Sequence, residues 1–454
     1  MRIRLFESSS ADCRSFVGSL ARRGASAQSA VEPAVENVIR AVRRRGDRAL
    51  VAFAARFDKV KMRRADLRVG RAELGAALAA LAPGERRVLA LAARRIAAFH
   101  RRSMERSFRY RDGAGITLGQ LVRPLRRVGI YVPGGQAAYP STVLMNALPA
   151  RVAGVKEIAM AVPPARGAGE RYVLAAAALS GVSEVYRVGG AQAVAALAYG
   201  TETIRPVDKI VGPGNSYVQT AKRMVYPTVD IDNIAGPSEV VVIAGAEADP
   251  RWVAYDLIAQ AEHGSGDEAA VLLTPSRRLA RAVAAALERA LEDLPRAGAV
   301  RRALARRAAI ITVARLEEAF ELANRIAPEH LELDLRRAAR WLGRVEAAGA
   351  VFLGRFSPAP LGDYLAGPNH VLPTGGSARF GSPLGVRDFL KRTSIIQASQ
   401  AAARRLGPAV AQLARMEGFE GHARAMELRL GRRPDRERSA QARRHGKKGG
   451  QGGG

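Results

Sequence analysis

The feature that most constrains the fold is an alternation of short β-type runs with helical patterns between residues 129 and 354. In its first half, the runs GIYVPGG, EIAMAVPP, EVYRVGG and KIVGPGN each end in glycine or proline, and an apolar helical pattern follows. The second half contains EVVVIAG, AAVLLT, AAIITV, HLELDL and AGAVFLG, again with helical patterns in between. Such alternation is typical of parallel, doubly wound sheets. The sequence therefore predicts an α/β protein with two incomplete Rossmann-like parallel-sheet domains and small helical N- and C-terminal extensions.

The segments before residue 129 and after residue 354 have different sequence patterns. Residues 27–105 carry apolar residues at helical spacing. After Gly354 comes a long stretch rich in glycine and proline, and loops of that length are usually functional. Helical patterns return and run to about Leu430, before a basic, glycine-rich tail that is predicted to be disordered. The predicted segments are 1–128 (helical, packing on the second α/β domain), 129–237 (first α/β domain), 238–381 (second α/β domain), 382–430 (helical arm) and 431–454 (tail).

Cysteine content and hydropathy bear on the cellular location that we expect for the protein. Cys13 is the single cysteine, so no intramolecular disulfide and no thiolate zinc knuckle can form. No apolar run is long enough for a transmembrane helix, and the N-terminus lacks the apolar centre of a signal peptide. We therefore expect a cytoplasmic protein without a membrane partner.

The net charge of +30 raises the question of nucleic-acid binding. The tail holds eight Arg or Lys and two Asp or Glu, so it contributes only +6. The remaining excess is arginine scattered over alanine-rich helices, and aromatic residues make up only 5% of the chain. A base-stacking surface is therefore unsupported, and we do not expect nucleic acid to be the primary partner.

The ends of three predicted strands offer candidate ligand contacts. They read Tyr131-Val-Pro-Gly-Gly, Gly189-Gly-Ala-Gln192 and Gly212-Pro-Gly-Asn215. Ligands of open α/β sheets bind beyond such carboxyl ends, where glycine permits close approach and the next helix favours an anion. The spacing alone fits ordinary strand–helix turns equally well, and the dinucleotide fingerprint GxGxxG is absent.

Histidine is a sharper signal, because the chain has only six. His445 lies in the tail and His100 ends a helix, and we expect both to be solvated. The other four have polar neighbours near loops: Gln260 with His263, Glu329 with His330, Asp363 with His370, and Glu417 with His422.

These residue types suit zinc and acid–base chemistry. Histidine with carboxylate and amide oxygens can hold Zn²⁺, although each histidine taken alone also fits a capping or core role. The dipeptide Glu329-His330 suggests proton transfer and water activation, or else a surface pair at a helix end. Cys13 has no base beside it, so any aldehyde-level chemistry would have to proceed through a water adduct.

Several long motifs, in order, closely resemble the histidinol dehydrogenase family. They are YVPGGQAAYPSTVLMNALPARVAGV, VGGAQAVAALAYGT, VDKIVGPGNSYVQTAKR, IDNIAGPSEVVVIA followed by QAEH, IAPEHLEL and LGDYLAGPNHVLPTGGSARF. The resemblance covers roughly Arg4 to Leu430. It implies a homodimeric enzyme that uses one Zn²⁺ per chain and oxidises L-histidinol to L-histidine with two NAD⁺.

The resemblance also assigns roles to residues at matching positions. It implies Gln260, His263, Asp363 and His422 as zinc ligands and Glu329 and His330 as the catalytic pair. It implies Tyr131, Gln192 and Asn215 as NAD contacts, and Ser238 and Glu417 as substrate contacts beside Gln260, His263, His330, Asp363 and His422. Glu417 and His422 would come from the partner chain. The sequence departs from the family at 226–230, where glycines are usual, and in its extra tail.

Two alternatives remain open at this stage. A paralogue with the same fold could oxidise another small alcohol, although the joint presence of Asp363, Glu417 and His422 argues against it. A metal-dependent hydrolase or a nucleic-acid-binding protein is the option from a different class. Failure to bind NAD⁺, or a strongly salt-sensitive affinity for RNA, would favour that option.

Overall fold

The computed structural model describes residues 3–22, 29–134, 138–164, 169–263 and 266–431. The predicted disordered tail lies outside these residues from position 432 onward, and with it His445. The chain divides into two compact units, one of residues 1–104 and 124–390 and the other of residues 105–123 and 391–454. The first unit contains two six-stranded sheets, and the second contains a three-stranded sheet.

The strands alternate with helices through most of the first unit. The strands are β1 Arg4–Glu7, β2 Arg68–Val69, β3 Phe108–Arg111, β4 Ile116–Pro124, β5 Arg127–Tyr131, β6 Glu157–Val162, β7 Glu184–Arg187, β8 Lys209–Val211, β9 Asp230–Ile231, β10 Glu239–Ala244, β11 Ala269–Thr274, β12 Ala308–Thr312, β13 His330–Asp334, β14 Ala350–Leu353 and β15 Leu390–Ala398.

The helices of the described residues have the following bounds. They are α1 Ala11–Ala21, α2 Glu32–Arg45, α3 Asp47–Phe53, α4 Arg71–Ala79, α5 Pro83–Arg102, α6 Pro140–Ala153, α7 Glu170–Ser180, α8 Gly190–Tyr199, α9 Ser216–Val225, α10 Pro250–Ala261, α11 Arg277–Ala290, α12 Ala297–Arg307, α13 Leu316–Ile326, α14 Ala359–Leu361, α15 Gln400–Met416 and α16 Glu420–Arg429. Shorter helical turns of 3-10 type lie at Ser29–Val31, Arg64–Leu67, Ala338–Arg344, Ser377–Arg379 and Val386–Phe389, and π turns at Ala54–Asp58 and Gly362–Ala366.

Both large sheets have a doubly wound strand order, which confirms the predicted fold class. The first sheet runs β2-β7-β6-β5-β8-β9, and all its pairings are parallel except that of β2 with β7. The second runs β1-β12-β11-β10-β13-β14 and is parallel throughout. Its inner strands are apolar on both faces because helices cover both, as is usual for parallel sheets.

The N-terminal segment divides between the two sheets. Strand β1 pairs with β12, and helix α1 packs against α13, so the first twenty or so residues belong to the second sheet. Helix α2 instead packs on α8 and α9, and its Val35 and Val42 join the core of the first sheet. The prediction that residues 1–128 pack on the second domain is therefore wrong for α2. The apolar stripe of α2 showed that it must be covered, but not by which sheet.

Two residues of this region are more deeply buried than expected. Cys13 was placed in a polar segment, but α1 turns it into the core of the second sheet, and burial raises the pKa of its thiol. His100 was expected to be solvated, yet its side chain is 2% exposed near the end of α5. Burial lowers the pKa of His100 to about 4.

The second compact unit is a small α+β structure. Strands β3 and β4 form an antiparallel hairpin, and β15 adds to β4. Helices α15 and α16 pack together through Ala411, Ala414 and Ala423. The predicted C-terminal arm was wholly helical, whereas the structure begins it with the nine-residue strand β15. That strand is largely exposed and lacks the apolar alternation by which a strand is recognised in sequence.

A search for membrane-crossing helices among the described residues finds none of sufficient length and apolar character.

Candidate active site

The strand order of the first sheet reverses near its centre, and the carboxyl ends of two neighbouring strands meet at this point. The reversal lies between β5 and β8, the position at which doubly wound sheets bind their ligands. Strand β5 ends at Tyr131, and β8 is followed by Gly212, whose φ of +118° favours glycine. A Cβ atom at Gly212 would lie 2.2 Å from the Tyr131 carbonyl oxygen, so only glycine permits this close approach.

The three predicted NAD contacts, Tyr131, Gln192 and Asn215, all follow strands of this edge. The Tyr131 hydroxyl accepts a 3.1 Å hydrogen bond from Gly190 N at the start of α8, which ties β5 to the turn that carries Gln192. Burial raises the pKa of Tyr131 to about 12, so the phenol stays protonated. Asn215 caps α9, its Oδ1 accepting from Val218 N at 3.2 Å. That these residues bind NAD⁺ stays a prediction.

A buried ion pair fixes the loop before Asn215. The ammonium of Lys222, fully buried on α9, pairs with Asp232 and donates to the carbonyl oxygens of Gly212 (3.0 Å) and Asn233 (2.9 Å). The other oxygen of Asp232 accepts from Gly212 N at 2.8 Å. Both polar groups of the Gly212 backbone are thus held. No local pattern in the sequence indicated this contact.

Glu329 and His330 lie at the amino edge of the second sheet, where its strand order reverses between β10 and β13. Helix α13 ends at Ile326, and Ala327 in the left-handed conformation turns the chain into β13. Gly349, directly before the next strand, comes so close that a Cβ there would lie 2.6 Å from the Glu329 carbonyl oxygen. The pair is therefore buried at a strand end, and the interpretation as a surface pair is wrong.

The first residue of β10, Glu239, orients both side chains through its backbone. Its N–H donates to Glu329 Oε2 at 3.0 Å, and its carbonyl accepts from His330 Nδ1 at 3.1 Å. A carbonyl can only accept, so Nδ1 carries a proton and Nε2 is the nitrogen left for chemistry. Sequence analysis did not single out Glu239, because it acts through its main chain.

Asp363 completes a group of two carboxylates around one imidazole. His330 Nε2 lies 3.5 Å from Asp363 Oδ1, and Nδ1 lies 3.7 Å from Glu329 Oε2. Burial opposes a charge on His330, but the two carboxylates outweigh it and raise its pKa to about 9. Burial raises the pKa of Glu329, whereas His330 lowers that of Asp363 despite its burial. The long loop therefore does bring Asp363 to the predicted catalytic pair.

Two more histidines interact with the charges of this group, and they have the same tautomer as His330. His263 Nδ1 lies 3.0 Å from the Gln260 carbonyl oxygen, and His370 Nδ1 lies 2.8 Å from that of Asp363. Each ring therefore presents Nε2. Burial lowers the pKa of His370, so it favours the neutral form. His370 lies in the same long loop as Asp363, and the sequence indicates no role for His370.

The predicted zinc donors of the first unit have suitable chemistry. Helix α10 begins with the capping side chain of Asp249 and with Pro250, and Gln260 lies in its last turn. The Gln260 side chain is 4% exposed, and its Nε2 finds no hydrogen-bond partner among the described residues. Together with His263 Nε2 and the Asp363 carboxylate, its amide oxygen forms a donor set that zinc accepts. Within the described residues, no group of three or more His, Cys, Asp or Glu side chains could hold a metal ion. The predicted zinc ligands of this unit do not count as such a group, because one of them, Gln260, is a glutamine.

The remaining predicted residues fall into two places. Ser238 is half-buried and directly precedes Glu239, so it lies beside the catalytic pair. Glu417 and His422 belong to the second unit, where both are exposed at the corner between α15 and α16, and the His422 ring stacks on Phe419. Their contribution to a partner chain's site stays a prediction.

The fold and this geometry define a class of protein: an α/β enzyme with two doubly wound sheets and a buried imidazole between two carboxylates. The comparisons with known proteins identify the family. The sequence profile of histidinol dehydrogenase matches residues 21–430. Histidinol dehydrogenase of Moorella thermoacetica is 54% identical over 411 residues, 90% of this chain and 95% of that protein. That of Aromatoleum aromaticum is 53% identical over 407 residues, 89% and 92% of the two chains.

A solved structure agrees with the sequence comparisons. The crystal structure of histidinol dehydrogenase from Elizabethkingia anophelis matches with a TM-score of 0.88 and 34% identity, over 94% of this chain and 98% of that chain. The chain belongs to the histidinol dehydrogenase family.

Proposed function

We propose that this protein oxidises L-histidinol to L-histidine through bound L-histidinaldehyde, with reduction of two NAD⁺, as the last steps of histidine biosynthesis. The observation that carries the proposal is the buried Glu329-His330 pair beside Asp363, in a chain of this family. Oxidation of an alcohol to a carboxylate needs a base for the hydroxyl proton and a means of adding water to the aldehyde. The pair can supply both.

His330 is the proposed base for the alcohol step. Its Nδ1 is committed to the Glu239 carbonyl, so Nε2 takes the hydroxyl proton. Because the pKa of His330 is raised to about 9, the neutral form that can act as a base accumulates as the pH rises toward that value. Asp363 and Glu329 stabilise the imidazolium once it has formed.

Glu329 is the proposed activator of water for the aldehyde step. Its Oε2 is held by Glu239 N, which fixes the carboxylate beside His330. Its raised pKa makes it a stronger base than an ordinary glutamate. Water added to the aldehyde gives a diol, and His330 can then remove the proton of a diol hydroxyl. Since Cys13 is buried in the core of the second sheet, a thioester route through it is not open.

Two bound groups complete the proposal. Tyr131, Gln192 and Asn215 would hold NAD⁺, which accepts the hydride when bound. Gln260, His263 and Asp363, with His422 of a partner subunit, would hold one Zn²⁺, which would orient the amino and imidazole nitrogens of the substrate. Ser238 and Glu417 would contact the substrate directly. We further propose a cytoplasmic homodimer in which the C-terminal arm is exchanged.

The decisive measurement is the yield of NADH per L-histidinol consumed. Two NADH with L-histidine as product are expected, and a panel of short alcohols should give little turnover. One NADH would limit the reaction to the aldehyde level, and a better substrate in the panel would point to a paralogous dehydrogenase. No NADH from any of the alcohols would overturn the proposal.

Metal removal tests the zinc assignment separately. The purified protein should contain about one zinc ion per chain, and chelation should abolish activity. His263→Ala should lose the metal while keeping its cooperative unfolding, because His263 is exposed and its loss leaves the core intact. Full activity in metal-free protein would contradict this part of the proposal.

A further inference from the structure

A second pair of carboxyl groups lies on the same strand as the catalytic pair. Glu332 follows His330 by two residues on β13, so both side chains are on one face of the strand. Glu332 is 4% exposed, and it forms a hydrogen bond with Asp256 on α10. Its Oε1 also accepts from Ala359 N at 2.6 Å. None of the sequence motifs accounts for this pair.

The contact between the two carboxyl groups requires a shared proton, since two carboxylates have no hydrogen to donate. Burial and the neighbouring Asp256 raise the pKa of Glu332 to about 8, and burial raises that of Asp256 to about 6. Burial and mutual repulsion therefore favour a pair that holds one proton, with the more deeply buried Glu332 as the neutral acid. One oxygen of this neutral acid donates to Asp256 and the other accepts from Ala359, so each polar group of Glu332 has a partner.

The pair joins three elements that carry the candidate site. Strand β13 presents His330. Asp256 lies one helical turn before Gln260 on α10. Ala359 is the first residue of the helical turn that runs through α14 into Gly362–Ala366, and this turn presents Asp363. The bond to Ala359 satisfies an amide that the first turn of a helix leaves unpaired. Loss of this bond would free the turn four residues before Asp363.

We propose that Asp256 and Glu332 are positioning residues that hold Asp363 against His330 through the turn beginning at Ala359. This role rests on the proposed function, because it assigns the pair to the oxidation of histidinol. Neither side chain needs to touch the substrate. Its effect is exerted through the placement of the carboxylate that faces His330 Nε2.

Two substitutions of Glu332 separate this role from mere burial of a carboxyl group. Glu332→Gln reproduces the protonated acid: its amide oxygen can accept from Ala359, and its NH₂ group can donate to Asp256. We expect its kcat to stay within about threefold of wild type. Glu332→Leu removes both bonds at similar volume, and we expect kcat to fall roughly ten- to a hundredfold. The KM for NAD⁺ should not change, since the proposed NAD⁺ contacts lie at the first sheet and not at the sheet that contains Glu332. Asp256→Asn should resemble Glu332→Gln, because its carbonyl can accept the shared proton.

A matched control is Asp47→Ala. Asp47 is also a buried carboxylate, but it binds Thr203 and Arg64 beside the first sheet. Its loss should lower the unfolding temperature and leave kcat unchanged in assays below that temperature. If Glu332→Leu merely destabilises the fold, it will behave like this control, and the positioning role is then refuted.

Amide hydrogen exchange of residues 359–366 gives a readout that does not depend on turnover. Exchange should accelerate in Glu332→Leu and stay at the wild-type rate in Glu332→Gln. If wild type does not oxidise histidinol, the proposed function fails, and unchanged exchange in Glu332→Leu would show that the pair does not hold the turn either. If wild type is active and Glu332→Leu keeps its kcat, the function stands and the positioning role is overturned.

Discussion

The imidazoles of the site are fixed by the main chain. His263, His330 and His370 each donate Nδ1–H to a backbone carbonyl, so their tautomer and ring orientation are set before any ligand binds. Nε2 is then the only free nitrogen on each ring. For His330 this means that proton transfer depends on one atom, which Asp363 faces at 3.5 Å.

Substitutions of the catalytic pair should separate the two oxidation steps. Glu329→Gln keeps an oxygen to accept from Glu239 N but cannot act as a base. It should therefore slow aldehyde oxidation by roughly a hundredfold or more while affecting alcohol oxidation less. His330→Asn should impair both steps, since both require proton removal from oxygen. Single-turnover rates from L-histidinol and from L-histidinaldehyde provide the measurement, and an equal loss in both for Glu329→Gln would remove its assigned role.

His100 should make the folded state sensitive to acid. Both ring nitrogens are buried without a hydrogen-bond partner among the described residues, and burial lowers the pKa of His100 from 6.5 to about 4. The folded state therefore keeps the ring neutral, while the unfolded chain protonates below pH 6.5. The resulting stability is present above pH 6.5 and is lost as the pH falls toward 4, by up to roughly 3 kcal/mol.

Urea unfolding of wild type and His100→Leu at pH 7 and pH 5 tests this linkage. Leucine has no proton to gain, so its advantage over histidine in free energy of unfolding should grow by about 2 kcal/mol from pH 7 to pH 5. If both proteins lose stability in parallel, another group is responsible for the acid sensitivity.

At the scale of elements, the ion pair between α9 and the loop after β9 fixes the loop of residues 212–215, which carries a proposed NAD⁺ contact. Lys222→Met should free the Gly212 carbonyl, leave Asp232 as an unpaired buried charge, and lower the free energy of unfolding by about 3 to 5 kcal/mol. Because Gly212 begins the loop that ends at Asn215, the KM for NAD⁺ should rise several-fold while binding of L-histidinol persists.

The double variant Lys222→Met/Asp232→Asn is the control for charge. It removes the unpaired carboxylate, so the free energy of unfolding should partly recover. The KM for NAD⁺ should stay raised, because the loop of residues 212–215 still lacks its hydrogen bond from Lys222. Recovery of both quantities together would mean that the pair affects NAD⁺ only through stability.

Elements set by local pattern were predictable, and contacts between distant segments were not. Strands such as β6 and β11 are apolar runs bounded by turn residues, and their alternation with helices fixed the fold class. The placement of α2, the strand β1 and the exposed strand β15 depended on partners far along the chain. In the site, the dipeptide Glu329-His330 was visible in the sequence, but the approach of Asp363 needed the family resemblance. The backbone of Glu239 and the bond between Asp256 and Glu332 carried no local signal.

At the scale of the whole molecule, the proposed exchange of the C-terminal arm predicts complementation between two inactive variants. Glu329→Ala has a defective body and a sound arm, and His422→Ala has the reverse. If the arm completes the partner's site, a mixed dimer has one site with both lesions and one with none. Random reassortment makes half the dimers mixed, so activity should recover to about a quarter of wild type.

Co-unfolding and refolding the two variants, with differently tagged chains to count mixed dimers, provides this measurement. Each variant refolded alone is the control and should remain nearly inactive. Mixed dimers without any regained activity would mean that the arm serves the site of its own chain.

The pairing of β1 with β12 has a consequence for synthesis. Arg4 lies opposite Ala309, whereas the strands of the first sheet are all complete by Ile231. At translation rates of about 5 to 20 residues per second, roughly 15 to 60 seconds pass between the synthesis of β1 and that of its partner strand β12. Throughout that interval α1 holds the apolar residues Phe16, Val17 and Leu20 without the sheet that later covers them. The segment of the second sheet that leaves the ribosome first is thus among the last to reach its place.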